Sequence, residues 1–161
     1  MNWHDYFKYD NGNLYRIWGN GKVYLSGSRA KTQYILVTVD GVCTWAHRVI
    51  WEMHNGPIPK GMWVDHINGN GRDNRLSNLR LSLPHQNSAN AKLSKRNSSG
   101  AKGVTWNKRA KKWHAQISYR RNRIYLGLFT ELDEAAAAYA SAAKNMNGEF
   151  ARMAYSETRP T

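Results

Sequence analysis

The chain has 161 residues, and its 24 Lys and Arg against 11 Asp and Glu give a net charge of +13, which points to a polyanionic partner, most simply nucleic acid. Its length admits one ordinary domain or two small ones, and the single cysteine, Cys43, excludes an internal disulfide and a zinc centre of the four-cysteine kind, so no zinc is expected. No apolar run approaches the ~18 residues of a membrane span, and the start Met-Asn-Trp-His-Asp lacks the charged and apolar regions of a signal peptide, so a cytoplasmic protein without a membrane partner is expected.

Abundant tryptophan and tyrosine, with 13 glycines breaking the chain into short pieces, favour small β-rich modules over one large core. Across residues 6–46, Asn11-Gly12-Asn13, Gly19-Asn20-Gly21 and Asp40-Gly41 are hairpin signals. They separate the strand-like runs Leu14 to Ile17, Lys22 to Leu25 and Tyr34 to Val39, and Val42-Cys43-Thr44-Trp45 should pair back across Asp40-Gly41. Cys43 is expected to be a small core residue of that strand. Lys22, Arg29 and Lys31 are candidates for DNA phosphate contact, with an ordinary solvated role equally open to each.

From Ala46 to His54 the apolar residues Ala46, Val49, Ile50 and Met53 recur at helical intervals, and Asn55-Gly56-Pro57 ends the run. Gly61 to Val64 then reads as a strand, Asn68 to Asn74 as a polar loop, and Leu79-Arg80-Leu81 as a second strand. Ser82 stands where a cap precedes the first turn of a helix, with Leu83-Pro84 following. Folded as a hairpin with the helix across it, this order brings Asp65 and His66 toward Asn87. A carboxylate and an amide oxygen suit a hard cation such as Mg²⁺ or Mn²⁺, which keeps waters and substrate phosphate in its other positions. The imidazole of His66, with an ordinary pKa of ~6.5, can take a proton from an attacking water. Asn78 is expected to brace the loop or to orient His66.

The residues Asp65-His66-Ile67-Asn68-Gly69-Asn70, Asn74-Arg75-Leu76-Ser77-Asn78-Leu79-Arg80 and Gln86-Asn87 resemble the HNH endonuclease family, in the His-Asn-Asn form common among phage homing endonucleases. The resemblance covers roughly residues 5–92. It implies a ββα-metal core with His66 as general base, Asp65 and Asn87 as metal ligands and Asn78 as the structural central residue. His47-Arg48 matches the His-Arg that usually precedes this core, which makes His47 a further candidate for the active site. The final His of the family name is Asn87 here, a variant that leaves metal binding possible.

Residues 91–100 are basic, acid-free and poor in groups to bury, and read as a linker whose Lys92, Lys95 and Arg96 gain affinity for DNA through counterion release. Between Lys102 and Arg123 there are eight Lys and Arg and no acid, interleaved with Trp106, Trp113 and Tyr119. Val104 to Trp106, Lys112 to Tyr119 and Arg123 to Leu128 read as three antiparallel strands, with Ala115 and Ile117 on one face and His114, Gln116 and Ser118 on the other. Thr130-Glu131-Leu132-Asp133 is a variant capping box opening an alanine-rich helix to about Asn145. Its inward stripe is Leu132, Ala135, Ala136, Tyr139, Ala142, Ala143 and Met146.

Lys102-Gly103-Val104, Lys112 to Ile117, Tyr125 to Phe129 and Glu134 to Tyr139 resemble the AP2 domain, a three-stranded DNA reader also fused to phage HNH enzymes. The resemblance spans about 55 residues and implies a sheet lying in the major groove. Lys102, Thr105, Trp113, Gln116, Ser118, Arg123 and Tyr125 would then face DNA, with Trp106, Lys108, Arg109, Lys112 and Arg121 as further contacts. Thr105 replaces the arginine usual in plant members and the first turn is longer, so their base preference does not transfer.

The expected architecture is α+β: a β-rich region with the HNH core over 1–90, a basic linker over 91–100, an AP2-like domain over 101–155 and a tail over 156–161. The expected function is a Mg²⁺-dependent homing-type endonuclease on double-stranded DNA, acting as a monomer or weak dimer, and the resemblances imply a phage protein in a bacterial host. A DNA-binding transcriptional regulator with an inactive HNH remnant, and a structure-selective nuclease for junctions or single strands, are the alternatives.

Overall fold

The computed structural model describes residues 2–29, 33–94 and 96–152, with Ser28 and Arg29 described by backbone alone. The chain divides into two compact units, the first ending at Pro84 and the second beginning at His85.

The first unit opens on a 3-10 turn, Trp3–Asp5, tied to a later helix by Trp3 Nε1, which donates to Glu52 Oε2 at 2.6 Å. Strands β1 (Phe7–Asp10), β2 (Asn13–Ile17) and β3 (Val23–Leu25) form an antiparallel meander, and β4 (Ser28–Arg29), β5 (Ile35–Val39) and β6 (Val42–Trp45) form a second. The turn signals do what their chemistry allows. Asn11-Gly12 and Asp40-Gly41 both adopt positive φ, which lets a two-residue turn follow the twist of its strands. Helix α1 (Ala46–Asn55) follows β6 directly and stops at Gly56, whose φ of 79° only glycine takes without strain. Strands β7 (Trp63–His66) and β8 (Leu79–Ser82) make a hairpin in which Asp65 faces Arg80 and His66 faces Leu79. One core, built from Phe7, Leu14, Val37, Val39, Ala46, Val49, Ile50, Val64 and Leu79, joins both meanders, α1 and the hairpin.

Two expectations for this unit need correction. Cys43 is exposed, not core, because β6 is an edge strand and Cys43 lies on its solvent side, its Sγ 3.2 Å from Thr38 Oγ1 on the neighbouring strand. Ser82 ends β8 rather than capping the next helix; its buried hydroxyl donates to the carbonyl of Trp63 at 3.4 Å, the residue directly opposite. Of the three cations considered for phosphate here, Lys22 is exposed, Lys31 lies outside the described residues, and only the backbone of Arg29 is described.

Helix α2 (Pro84–Asn90) leads into the second unit. Residues 91–94 and 96–100 contain neither helix nor strand, yet Asn97 and Ser99 organise the second half of this stretch: Asn97 Oδ1 accepts from the Gly100 amide at 2.7 Å, and Ser99 Oγ donates to the carbonyl of Val104 at 2.8 Å. Strands β9 (Val104–Asn107), β10 (Lys112–Tyr119) and β11 (Asn122–Phe129) form an antiparallel sheet in the order β11-β10-β9. Helix α3 (Leu132–Asn147) packs over it with the expected stripe turned inward: Ala135 and Ala143 are buried, and Leu132, Ala136, Tyr139, Ala142 and Met146 are half-buried. The core is small, centred on Ala101, Val104, Ala115 and Ala135 with Trp113, Leu126, Phe129 and Leu132 against it. Small side chains bring helix and sheet close together. At Gly103, φ is +73° and a Cβ would fall 2.2 Å from the Tyr139 ring. The proposed capping box does not form as expected: the cap position of α3 is Glu131, one residue later than Thr130, and Glu131 makes no side-chain capping bond.

Candidate functional site

The β7–β8 hairpin and the first turn of α1 bring three ring systems together. His47 and His66, 7% and 4% exposed, meet edge to face with centroids 4.9 Å apart. Tyr34 lies 5.4 Å from the first and 5.8 Å from the second. His66 Nε2 is 2.8 Å from Asn74 Oδ1. Burial pulls the His66 pKa below the ordinary value, opposed by the Asn74 bond and by Asp65 and Asp73, which favours the neutral ring. His47 is pushed down to about 3, first by burial and then by the proximity of His66 and Arg48, and its Nδ1 is buried without a hydrogen-bond partner among the described residues.

Asp65 is 5% exposed, and its Oδ2 accepts from Arg80 Nε at 3.1 Å across the hairpin. Asn78 makes three hydrogen bonds within the loop: its Oδ1 accepts from the Asn68 amide at 3.0 Å, and its Nδ2 donates to Asn68 Oδ1 at 3.0 Å and to the Asp73 carbonyl at 2.7 Å. The side chain that meets His66 Nε2 is that of Asn74, four residues earlier in the same loop. At the loop surface the Arg75 guanidinium holds the Asp73 carboxyl well below the usual carboxylate range, with bonds of 2.8 and 2.7 Å.

Whether a metal fits is a question about donors. Among the described residues no group of three or more His, Cys, Asp and Glu side chains could hold an ion, so a cage of such ligands is not available. A hard divalent cation that keeps most of its waters asks less, one or two oxygen ligands. The buried carboxylate of Asp65, adjacent in sequence to a neutral imidazole, is an oxygen donor of that kind. Asn87 is half-buried on α2, in the second unit. At the far end of the same helix, Lys102 Nζ donates to the carbonyls of Ala89 at 2.6 Å and Ala91 at 2.8 Å, and Arg152 Nε donates to that of Asn90 at 2.8 Å. Two cations therefore satisfy the carbonyl end of the helix.

The second candidate surface is the sheet face that α3 leaves uncovered. Alternation and register place Thr105, Lys112, His114, Gln116, Ser118, Arg123 and Tyr125 on it. Tyr125, 60% exposed, stacks on His114 with centroids 5.3 Å apart. His114 is an addition to the expected set, and its parity with Gln116 and Ser118 already implied it. Three expected contacts sit elsewhere. Trp113 shares the helix face with Ala115 and packs on the core, and Trp106, paired with Trp113 across the strands, meets it at 5.0 Å on that same face. Lys102 is half-buried and engaged with α2; burial, then Arg152, lowers its pKa to about 8. Lys108, Arg109 and Arg121 are exposed in the two hairpin turns, Lys92 and Arg96 are exposed on the preceding stretch, and Lys95 lies outside the described residues. The turn between β10 and β11 is unusual, because Arg120 and Arg121 both adopt positive φ, 47° and 70°.

Residues 44–89, which include His47, Asp65, His66, Asn78 and Asn87, match the HNH endonuclease family. Over those residues the chain carries a domain of that family. It is 40% identical over 106 residues to Protein 3.8 of Escherichia phage T7, covering 66% of this chain and 87% of that protein. It is 35% identical over 112 residues to the uncharacterized HNH endonuclease L560 of Acanthamoeba polyphaga mimivirus, covering 65% of this chain and 54% of that protein, so it spans about half the length of that relative. No solved structure matches the chain. Among the described residues no helix is long and apolar enough to cross a membrane.

Proposed function

We propose that the protein is a divalent-metal-dependent DNA endonuclease of the homing type, with His66 as general base. The observation that carries this reading is a buried, neutral imidazole at the end of β7, held at one nitrogen by Asn74 and next in sequence to the buried carboxylate of Asp65. His66 takes the proton of the attacking water. Asp65, with Asn87 from the same family match, would hold Mg²⁺ or Mn²⁺, which would stabilise charge on the phosphoryl group and the departing sugar oxygen. His47 stays neutral and packs against His66, excluding water from one side of the base. Asn78 keeps the loop closed. In the second unit, the open AP2-like face with Arg123, Gln116 and Tyr125 would lie on duplex DNA and supply the site preference that a phosphate-directed reaction lacks.

The test is nicking of supercoiled plasmid with Mg²⁺ and with EDTA, for the wild type and His66→Ala. Metal-dependent nicking that disappears in His66→Ala, with DNA binding kept, is the expected outcome; turnover retained in the variant removes His66 from the base role. One observation favours a second reading, a DNA-binding regulator with an inactive remnant of the nuclease site: Arg80 already sits on the Asp65 carboxylate. Absence of nicking in the wild type at any Mg²⁺ or Mn²⁺ concentration, with duplex binding intact, selects that reading.

A further inference from the structure

Asn74 is 1% exposed, and among the described residues the only bond its side chain makes is at Oδ1, with His66 Nε2 at 2.8 Å. An amide oxygen only accepts, so the imidazole nitrogen facing it carries the hydrogen, and in the neutral ring the lone pair is on Nδ1. The other end of the amide, Nδ2, is buried with no hydrogen-bond partner among the described residues. A buried donor left unpaired lowers stability. An amide at this position therefore gains the fold little except through its grip on His66.

The loop that carries Asn74 is held on several sides. A Cβ on Gly12, in the β1–β2 turn, would fall 2.9 Å from the Arg75 amide nitrogen and 3.2 Å from the Asn74 carbonyl carbon. A Cβ on Gly71 would fall 2.7 Å from the Tyr34 ring and 2.8 Å from the Gln33 carbonyl oxygen. The Leu76 amide donates to the Tyr9 hydroxyl at 3.1 Å, and Asn78 holds the Asp73 carbonyl from beneath. Only bare backbone at positions 12 and 71 permits this approach.

We infer that Asn74 is a positioning residue for the general base: it fixes the Nε2–H tautomer of His66 and holds the ring so that Nδ1 receives the proton of the attacking water. This rests on the nuclease reading above. Gly12 and Gly71 belong to the same device, since they let the loop close tightly enough to set the amide against the ring.

The experiment uses the full chain as wild type, Asn74→Leu and Asn74→Asp. It measures kcat and KM on supercoiled plasmid with Mg²⁺, thermal unfolding, and the His66 tautomer by ¹⁵N NMR of the imidazole nitrogens, assigned with His66→Ala. Asn74→Leu is expected to lower kcat on the order of ten- to a hundredfold, with KM and Tm little changed and the Nε2–H signature lost. Asn74→Asp, which returns an acceptor oxygen, recovers most of kcat. An Nδ1–H tautomer in the wild type, unaltered kcat in Asn74→Leu, or a kcat loss that follows a fall in Tm and is not recovered by Asp overturns the inference. If the wild type does not cut, the nuclease reading fails by itself. The tautomer comparison then still decides the geometry, with loss of Nε2–H in Asn74→Leu supporting it and no change overturning it.

Discussion

Asp65 and Arg80 stand directly opposite each other across the β7–β8 hairpin and share a 3.1 Å charge-assisted hydrogen bond, with side chains only 6% and 14% exposed. Removing one charge from so buried a pair costs about 3 kcal/mol or more. Asp65→Asn is therefore expected to lower Tm as well as to end plasmid nicking. Asp65→Asn combined with Arg80→Met should recover stability but not nicking. Plasmid assays below the Tm of each variant, beside thermal melts, separate the two effects; nicking restored in the double variant would exclude the carboxylate from the reaction.

His47 predicts an acid-sensitive fold. In the folded chain it stays neutral down to about pH 3, while in the unfolded chain it takes a proton near its ordinary value of 6.5. Below 6.5 the unfolded state binds the extra proton, so stability falls as pH drops from 6.5 toward 3, by up to about 1.4 kcal/mol per pH unit from this group. Above 6.5 the contribution is complete and flat. Urea denaturation of the wild type and His47→Gln from pH 4 to 8 should show the steeper dependence in the wild type; parallel curves would contradict the assignment.

Gly103→Ala should damage the second unit. The position combines a left-handed φ with a Cβ path that meets the Tyr139 ring at 2.2 Å and the Gln116 carbonyl at 2.5 Å. Strain and overpacking together are expected to cost about 3 kcal/mol. Thermal unfolding checks it, and Gly100→Ala is the comparison, having the same sign of φ but nothing near its added methyl.

The β10–β11 turn predicts a trade between stability and affinity. Two non-glycine residues at positive φ are strained where Asn-Gly would be relaxed. Replacing Arg120-Arg121 by Asn-Gly should raise Tm and weaken duplex binding. If both guanidiniums meet phosphate, the salt slope of log K falls by about two. Arg123→Ala should reduce that slope by about one, whereas Lys102→Met, which removes a contact to α2 instead of one to solvent, should leave it unchanged. Fluorescence anisotropy across a salt series measures all three.

Local chemistry made much of this legible. Hairpin dipeptides, the alternation around Ala115 and Ile117, the α3 stripe and the Asp65-His66 pair all follow from residues near in sequence. What stayed hidden depends on registers across the fold. No spacing rule shows that Asn74 rather than Asn78 reaches Nε2, because both sit in one irregular loop. Nor does it show that Arg80 lies opposite Asp65 until the hairpin register is set. Trp113 looked like a DNA contact by family position, yet strand parity puts it with Ala115 against the helix, and Lys102 looked solvated until α2 offered its carbonyls. Cys43 looked buried because cysteine often is, but an edge strand turned it outward.

The β1–β2 turn touching the Asn74 loop carries a lesson about dissection. The family segment, residues 44–89, omits Phe7, Leu14, Val37 and Val39 from its core, Tyr9 from the Leu76 amide, and Gly12 from the backbone it lies against. Excised alone, that segment would expose the apolar side of α1 and set Asn74 adrift from the imidazole, so the smallest piece worth purifying starts ahead of β1.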